Sequence, residues 1–294
     1  MQPTLFTDAD DAGRTVAPFK TQLLKWVGNK QRFAHEIISY FPRSFETYFE
    51  PFLGSGAVLA TLSPEAAVAA DVFKPLADIW AALGSDPDAL KLWYAERRSR
   101  IGRATKEDVY EAVKASYNAR PNGADLAFLC RTCYGGVVRF RKADGYMSTP
   151  CGAHEPVSAE SFAARVDEWV KRCRGVRFSH ADFADTMAQA FRGDLVYCDP
   201  PYTDTQAILY GAQRFSLARL FESIAACKRR GVFVVLSIDG TKRSGDKICD
   251  VPVPSRLFER EAAVNCGRSM LRRFQMGGLT LENEVVSDRL LLTY

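Results

Sequence analysis

In one stretch of the sequence, a short apolar run is followed directly by residues that could accept hydrogen bonds from a small polar group. Residues 195–198 (LVYC) have the composition of a buried strand, and the tetrapeptide Asp199-Pro200-Pro201-Tyr202 follows directly. The two prolines stiffen the chain where the strand ends, and the Pro200 carbonyl remains an acceptor although Pro200 has no backbone donor. The Asp199 carboxylate supplies a second acceptor. Two acceptors held side by side suit the two hydrogens of an amino group.

An amino group conjugated with an aromatic ring is a poor nucleophile, because its lone pair is delocalised into the ring. Hydrogen bonds from that group to Asp199 and to the Pro200 carbonyl would favour a pyramidal nitrogen with a localised lone pair. Fixed acceptors of this kind act by electrostatic preorganisation and by orienting the nucleophile. Tyr202 would stack on the ring. We therefore predict Asp199, Pro200, Pro201 and Tyr202 as the catalytic residues.

A glycine-containing turn upstream has the character of a cofactor loop. Residues 52–56 (FLGSG) follow an apolar run and precede a helical pattern, and glycines there allow close approach of the backbone to a ligand. No third glycine follows, which departs from the G-x-G-x-x-G pattern of dinucleotide sites. Asp71 ends the next apolar run, where a carboxylate can accept hydrogen bonds from both ribose hydroxyls. We predict Phe52, Gly54, Gly56 and Asp71 as cofactor contacts.

Another pair of candidate cofactor contacts follows a short alternating run at residues 176–180 (VRFSH). Asp182 could accept a hydrogen bond from the amino group of the cofactor's adenine, and Phe183 could pack on its ring. The alternative is that Asp182 caps the next helix and Phe183 belongs to the core. The sequence leaves both interpretations open.

The order of the apolar segments predicts the fold class. Four of them have the character of parallel strands, at residues 46–52, 66–71, 195–198 and 232–238, and helical patterns lie between them. One of these helices is expected to begin near Gly28. Alternation of strands and helices implies right-handed crossovers and an α/β, Rossmann-like doubly wound sheet. Such sheets bind ligands at the carboxyl ends of their strands.

The middle of the chain departs from this alternation. Helical patterns at residues 86–100, 106–118 and 161–172 flank a loop containing glycine and arginine. Residues 91–180 hold 17 basic and 10 acidic side chains, a surplus of seven positive charges in a chain of net charge +4. A local surplus of this kind suits a polyanion. We predict an inserted, mainly helical subdomain at 85–174, a catalytic domain formed by 21–84 and 175–294, and a flexible N-terminal arm at 1–20.

Three motifs in series, LLKWVGNK (23–30), FEPFLGSGAV (49–58) and AADVFKPL (69–76), resemble the D12-class, Dam-like DNA adenine methyltransferases. The Asp-Pro-Pro-Tyr tetrapeptide matches that of amino-methyltransferases. The resemblance implies that Trp26, Lys30 and Asp199 belong to the S-adenosylmethionine site. It also implies methyl transfer to the N6 amino group of a flipped-out adenine in duplex DNA, with S-adenosylhomocysteine as product and no metal.

A further resemblance concerns residues 129–140 (LCRTCYGGVVRF), which are similar to the family's target-recognition segment. It implies DNA contacts for Arg131, Tyr134, Arg139 and Arg141. Either Arg139 or Arg141 could bond a guanine edge in the major groove, and Tyr134 could wedge into the space left by a flipped base. The alternative is that Tyr134 is a core aromatic and that the arginines contact only phosphates.

Other functions fit these residues less well. Cytosine-N4 methyltransferases tend to have Ser in place of Asp199, and RNA or protein-amide methyltransferases more often have Asn. A dinucleotide-binding oxidoreductase is disfavoured by the missing third glycine. A non-enzymatic DNA-binding module would not need Trp26, Lys30, Asp71 and Asp199 together.

Length, hydropathy and the spacing of cysteines and histidines predict where the protein is found and whether it binds a metal. The chain of 294 residues contains no run of about eighteen apolar residues, and its N-terminus lacks the order of a secretory signal, so we expect a cytoplasmic protein without a membrane span. The eight cysteines are expected to be reduced and mostly packed. Neither the cysteines nor the three histidines have the spacing of a metal site. Double-stranded DNA is the expected partner, and a cognate restriction endonuclease is a candidate partner in the cell.

We expect Arg139 to read a base and Arg172, at a basic helix end, to contact phosphate. Substitution Arg139→Ala should cost about 1–3 kcal/mol on the cognate site and relax specificity at one position. Substitution Arg172→Ala should weaken all sequences alike. The measurement is kcat/KM of both variants on duplexes that carry single base substitutions. Equal slowing of every duplex by Arg139→Ala would make Arg139 a positioning residue, with Arg141 the next candidate.

Overall fold

The computed structural model describes residues 14–141, 143–201, 215–239, 252–267 and 286–294. Its strands, in chain order, are β1 (Tyr48–Glu50), β2 (Ala67–Asp71), β3 (Val176–His180), β4 (Leu195–Cys198), β5 (Phe233–Asp239), β6 (Arg260–Gly267) and β7 (Val286–Leu292). Its α-helices are α1 (Ala34–Ile38), α2 (Ala57–Leu62), α3 (Lys74–Ser85), α4 (Pro87–Arg98), α5 (Lys106–Ala119), α6 (Gly123–Thr132), α7 (Ala159–Arg172), α8 (Phe183–Ala188) and α9 (Leu217–Arg229).

All described strands belong to one sheet, in the order β3-β2-β1-β4-β5-β7-β6. Strands β1 to β5 are parallel to one another, and β7 runs antiparallel to both of its neighbours, β5 and β6. From β1 the chain proceeds outward to β2 and β3, then returns to β4 on the other side of β1. The order of the strands therefore reverses between β1 and β4, which confirms a doubly wound α/β fold with a topological switch point.

The sequence predicted most of these elements, but it did not predict α6 or β6, and it misplaced one helix. The predicted helix near Gly28 is wrong, because Gly28 has a positive φ of 76° that turns the chain, and α1 begins only at Ala34. Strand β6 was not predicted. It lies at the edge of the sheet formed by the described residues, where it pairs with β7 alone, so its residues lack the continuous apolar character of a central strand.

Hydrophobic side chains cover both faces of the central strands. In β4, Leu195 and Tyr197 belong to one core cluster, and Val196 and Cys198 belong to another on the opposite face. Burial on both faces explains why β4 has an uninterrupted apolar run. Only the residues that follow the strand can be polar, so the chemistry concentrates at the strand ends.

The middle helices are capped locally and packed on the sheet domain. Thr105 caps α5 by accepting a hydrogen bond from the Asp108 backbone N–H, and Ser158 caps α7 in the same way. The Trp169 ring of α7 packs 5.2 Å from the Trp80 ring of α3. The hydrophobic core is therefore continuous across the boundaries predicted for the inserted subdomain, and the division into two domains stays a prediction.

The end of the predicted N-terminal arm is packed, contrary to the expectation of a flexible segment through residue 20. The Phe19 ring is buried 5.7 Å from the Trp169 ring, and Trp169 Nε1 donates to the Thr21 carbonyl at 2.9 Å. A buried indole N–H needs an acceptor, and the N-terminal segment supplies it through the Thr21 carbonyl. The indole ring in turn supplies the apolar surface on which Phe19 packs. Residues 1–13 lie outside the described residues.

The structure also bears on the expectations about membrane spans and cysteines. No helix within the described residues is long and apolar enough to cross a membrane. Six described cysteines carry free thiols, and all except the half-buried Cys151 are buried.

Candidate active site

A cavity of about 410 Å³ opens at the switch point, beside the carboxyl ends of β1 and β4. This is the position where doubly wound sheets bind their ligands. Ten of the described residues that we predicted for catalysis or cofactor binding line it: Trp26, Lys30, Phe52, Gly54, Asp71, Asp182, Phe183, Asp199, Pro200 and Pro201. Tyr202 lies outside the described residues.

The glycine loop is fixed by the carboxylate that ends β2. Asp71 Oδ2 accepts a hydrogen bond from the Gly54 N–H at 2.9 Å, and Asp71 Oδ1 accepts one from the Phe73 N–H at 2.9 Å. Trp80 Nε1 donates to the Gly54 carbonyl at 3.1 Å. Burial raises the pKa of Asp71, and the two backbone N–H donors oppose this shift. The loop and the carboxylate are therefore held together at the cavity wall.

Gly56 differs from Gly54 in that it does not line the cavity. It caps α2 with a positive φ of 63°, and a Cβ at this position would lie 3.1 Å from the Trp169 ring and 3.2 Å from the Trp80 ring. The glycine is required by close packing of the two indoles and by the backbone turn. The predicted contact with the cofactor is therefore not supported at Gly56.

The residues after β4 form the polar centre of the cavity. Lys30 Nζ lies 3.2 Å from Asp199 Oδ1, and the two side chains are only 7% and 18% exposed. The positive φ of Gly28 turns the chain shortly before Lys30. Pro200 and Pro201 follow Asp199 at the cavity wall. The ion pair therefore restrains the Asp199 carboxylate at the cavity wall.

Glu50, at the end of β1, is a candidate site residue that the sequence analysis missed. It lines the same cavity and is only 3% exposed. Tyr48 Oη donates to Glu50 Oε2 at 2.7 Å. Burial and, more weakly, the Asp199 charge raise the pKa of Glu50 to about 8, although the Tyr48 hydrogen bond lowers it. Its position directly before the glycine loop was the available signal.

The other end of the cavity is aromatic. The Phe52 and Phe183 rings stack with centroids 5.1 Å apart, and the Phe215 ring meets Phe52 edge-on at 5.9 Å. Asp182 caps α8 by accepting from the Ala184 N–H at 2.9 Å, so the helix-cap interpretation is correct, and Asp182 also lines the cavity.

Arg219 of α9 is a second residue that the sequence analysis missed. Its two terminal nitrogens donate to the Asp182 carboxylate at 2.7 and 3.0 Å, and its guanidinium lies 4.9 Å from the Phe183 ring centroid. A bidentate pair of this kind fixes both partners in one orientation. Arg219 therefore neutralises Asp182 and holds the aromatic end of the cavity together.

The charge of the cavity wall limits its ligands. Four carboxyl groups but one ammonium group occur among the described lining residues, which are Glu50, Asp71, Asp182, Asp199 and Lys30. A wall of this composition suits a ligand with positive charge and disfavours the diphosphate of a dinucleotide. No group of three or more His, Cys, Asp or Glu side chains suited to a metal ion occurs in the described part of the chain.

The predicted DNA-reading residues lie around a hairpin formed by residues 133–151. Tyr134 and Arg139 are exposed and line a small cleft of about 170 Å³. Arg141 is also exposed, forms a bidentate pair with Asp144, and stacks 4.2 Å from the Tyr146 ring centroid. Tyr134 is thus a surface residue and not a core aromatic.

The predicted DNA contact of Arg131 is not supported, because its side chain is buried. The residue is only 8% exposed, and Arg131 Nη1 donates to the carbonyls of Gln22 and Leu23 at 3.2 and 2.9 Å. A cation with these partners ties α6 to the segment that leads into Trp26. The predicted DNA contact of Arg131 is therefore replaced by a structural role.

Fold and site together define an α/β protein whose cavity, at the switch point of a doubly wound sheet, has an acidic wall that suits a positively charged ligand. A family model described as D12 class N6 adenine-specific DNA methyltransferase matches residues 26–249. The match covers more than half of the chain, so the chain belongs to this family. It methylates the N6 amino group of adenine in DNA, the activity that the sequence predicted in preference to cytosine-N4 methylation or oxidoreductase activity.

Individual relatives agree with the family. A DNA adenine methylase of Vibrio cholerae is 27% identical over 233 residues, which cover 73% of this chain and 79% of that protein. The Type II methyltransferase M1.LlaDCHI of Lactococcus lactis is 26% identical and covers 72% and 79%. Among solved structures, the rRNA methyltransferase aviRa of Streptomyces viridochromogenes covers 85% of this chain and 77% of that chain at 12% identity, with a TM-score of 0.31 that is too low to support an argument.

The buried position of Arg131 leads to a testable distinction from Arg139. Loss of the charged hydrogen bonds in Arg131→Ala should lower the free energy of unfolding by about 1.5–3 kcal/mol. The exposed Arg139→Ala variant, which serves as the matched control, should change it by less than about 0.5 kcal/mol. Urea denaturation measures both. An Arg131→Ala variant of unchanged stability whose DNA binding depends less steeply on salt would contradict the structural role.

Proposed function

We propose that this adenine-N6 methyltransferase acts on double-stranded DNA and that its catalytic centre is the end of β4 at the switch point. The observation that carries the proposal is the placement of Asp199, which lines the cavity and lies 3.2 Å from the Lys30 ammonium. A base inside a duplex cannot reach a cavity of this kind, so the target adenine is flipped out of the stack.

The composition of the cavity supports S-adenosylmethionine as the methyl donor. Its acidic wall suits a cation, Asp71 is placed to accept hydrogen bonds from ribose hydroxyls, and Phe52 and Phe183 present apolar surface to an adenine ring. When bound, S-adenosylmethionine supplies a methyl group on a sulfonium, already activated for transfer to a nucleophile. Trp26, which lines the same wall, contributes a further apolar contact.

The residues of the chain bind and orient the target amino group. Asp199 and the Pro200 carbonyl accept its two hydrogens and so localise the lone pair on N6. Lys30 keeps the Asp199 carboxylate in one orientation. Tyr202, outside the described residues, keeps its predicted role of stacking on the flipped base. Neither a metal nor a covalent intermediate with the enzyme takes part in the proposed reaction.

The basic middle segment is proposed to hold the DNA. Tyr134 and Arg139 are exposed on the hairpin, and residues 91–180 carry the surplus of positive charge. Arg141 is also exposed, but its pairing with Asp144 must open before it can contact a base. Binding through phosphate contacts releases counterions, so the affinity for DNA should fall steeply as the salt concentration rises.

A cognate restriction endonuclease is the cellular partner that we propose. The support is the name of the Lactococcus lactis relative, a Type II methyltransferase. The test is whether DNA from cells that express this chain resists cleavage by an endonuclease encoded in the same genome.

The experiment that tests the proposed function is methylation of unmethylated bacterial genomic DNA with labelled S-adenosylmethionine, followed by mass spectrometry of the nucleosides. We expect N6-methyladenine, no N4-methylcytosine, and no loss of activity with EDTA. Substitution Asp199→Asn should lower kcat by about 10²–10³-fold, as loss of a preorganised group does. The matched control is Asp185→Asn, which changes an exposed carboxylate on α8 outside the cavity.

Three results would count against the proposal. Asp199→Asn with the activity of the parent enzyme would remove the catalytic role of Asp199. Activity abolished by EDTA would show that a metal takes part. Equal methylation of single-stranded and duplex DNA by the parent enzyme would contradict the preference for duplex.

A further inference from the structure

Two carboxyl groups of the acidic wall, Asp71 and Glu50, are not balanced by an ion pair with any described residue, and Asp71 instead accepts hydrogen bonds from two backbone N–H groups. Arg219 neutralises Asp182, and Lys30 Nζ lies 3.2 Å from Asp199. Glu50 forms no ion pair with any described residue, although it is 3% exposed and lines the same cavity. Burying a carboxylate without a neighbouring cation costs free energy, so burial favours the protonated form of Glu50.

The groups that face Glu50 come from several parts of the chain, and two of them, the Tyr48 hydroxyl and the Leu59 N–H, lower its pKa without outweighing burial. Tyr48 on β1 donates a hydrogen bond, and the Leu59 N–H at the start of α2 interacts with the carboxyl group. From β4 the facing charge is the Asp199 carboxylate, of the same sign. Cys173, after α7, and Cys198, on β4, are the other titratable groups nearby, and their thiols have pKa values raised by burial. None of these groups is basic.

The titration of Glu50 agrees with this geometry. Burial and the Asp199 charge raise its pKa to about 8, so the acid form predominates at neutral pH in the ligand-free enzyme. A positive charge brought into the cavity would favour the carboxylate instead. On the proposed function, that charge is the sulfonium, which must lie at the Asp199 end because the methyl group has to reach an amino group held there.

We propose that Glu50 carries a proton in the ligand-free enzyme and releases it to solvent when S-adenosylmethionine binds, so that the cavity distinguishes the cationic methyl donor from its product. S-adenosylhomocysteine has a neutral sulfur and drives this release less. The proposal rests on the proposed function, since it assumes that S-adenosylmethionine binds in this cavity. The step is balanced as one carboxylic acid giving one carboxylate and one proton.

The pH dependence follows from the sign of this linkage. S-adenosylmethionine prefers the carboxylate, so its dissociation constant falls as pH rises toward about 8 and levels off above that value. The titration of each ligand's own α-amino group is the same for the parent enzyme and for Glu50→Gln, so it cancels when the two enzymes are compared with one ligand. The preference for S-adenosylmethionine over S-adenosylhomocysteine should therefore increase more between pH 6 and pH 8 for the parent enzyme than for Glu50→Gln, by at most about tenfold for each pH unit.

The test is isothermal titration calorimetry of the full chain at pH 7 in buffers of different ionisation enthalpy, where the slope of enthalpy against buffer gives the protons released. We expect close to one proton for S-adenosylmethionine, fewer for S-adenosylhomocysteine, and about none for either ligand with Glu50→Gln. Asp185→Asn is the matched control: it removes an exposed carboxylate on α8 that does not line the cavity, so it should keep the parent slope.

Two outcomes would overturn the proposal while leaving the proposed function intact. One is the same number of protons released by the parent enzyme and by Glu50→Gln. The other is equal release for the two ligands with the parent enzyme, a comparison that stands even where Glu50→Gln does not fold. Failure of the parent enzyme to bind S-adenosylmethionine at all would instead overturn the proposed function, and this inference with it.

Discussion

The parallel pairing of β1 with β4 is the constraint on which the site depends. Phe49 of β1 is in register with Val196 of β4, so the residues that follow the two strands emerge side by side. Glu50 and Asp199 are thereby brought to one cavity although they are far apart in sequence. Because β1 and β4 are buried on both faces, polar chemistry is confined to this edge.

The surrounding elements hold that edge in place. Asp71 links the end of β2 to the glycine loop, and Lys30 links the N-terminal segment to the end of β4. The recognition hairpin is connected to the same wall through aromatic contacts, since the Phe140 ring lies 5.5 Å from Phe73, whose ring is 6.1 Å from Trp26. The hairpin and the cavity wall are therefore joined by one packed chain of aromatic rings.

The sequence predicted those site residues whose position can be recognised from the neighbouring residues in the same segment. Asp71 lies at the end of one apolar run, and the segment after β4 directly follows another. The pattern of apolar residues in a single sequence is enough to predict a strand and where it ends. The roles of Glu50 and Arg219 depend on neighbours from distant segments, namely Asp199 for Glu50 and Asp182 for Arg219. A pattern in one segment does not contain that information.

The two misassigned residues have the same explanation. Arg131 matched a recognition motif, but its direction is set by the carbonyls of Gln22 and Leu23, which belong to another part of the chain. Gly56 matched a cofactor loop, but its lack of a side chain serves the contact with Trp80 and Trp169. Motif matching located the correct segments, and tertiary packing decided which of their side chains face the cavity.

The central claim is that the cavity orients a nucleoside methyl donor between Asp71 and Asp199, and a crystal structure with S-adenosylhomocysteine tests it most directly. The account predicts that the ribose hydroxyls donate to Asp71, that the adenine lies against Phe183, and that the sulfur lies at the Asp199 end. A nucleoside bound with its adenine at Asp199, or outside this cavity, would contradict it.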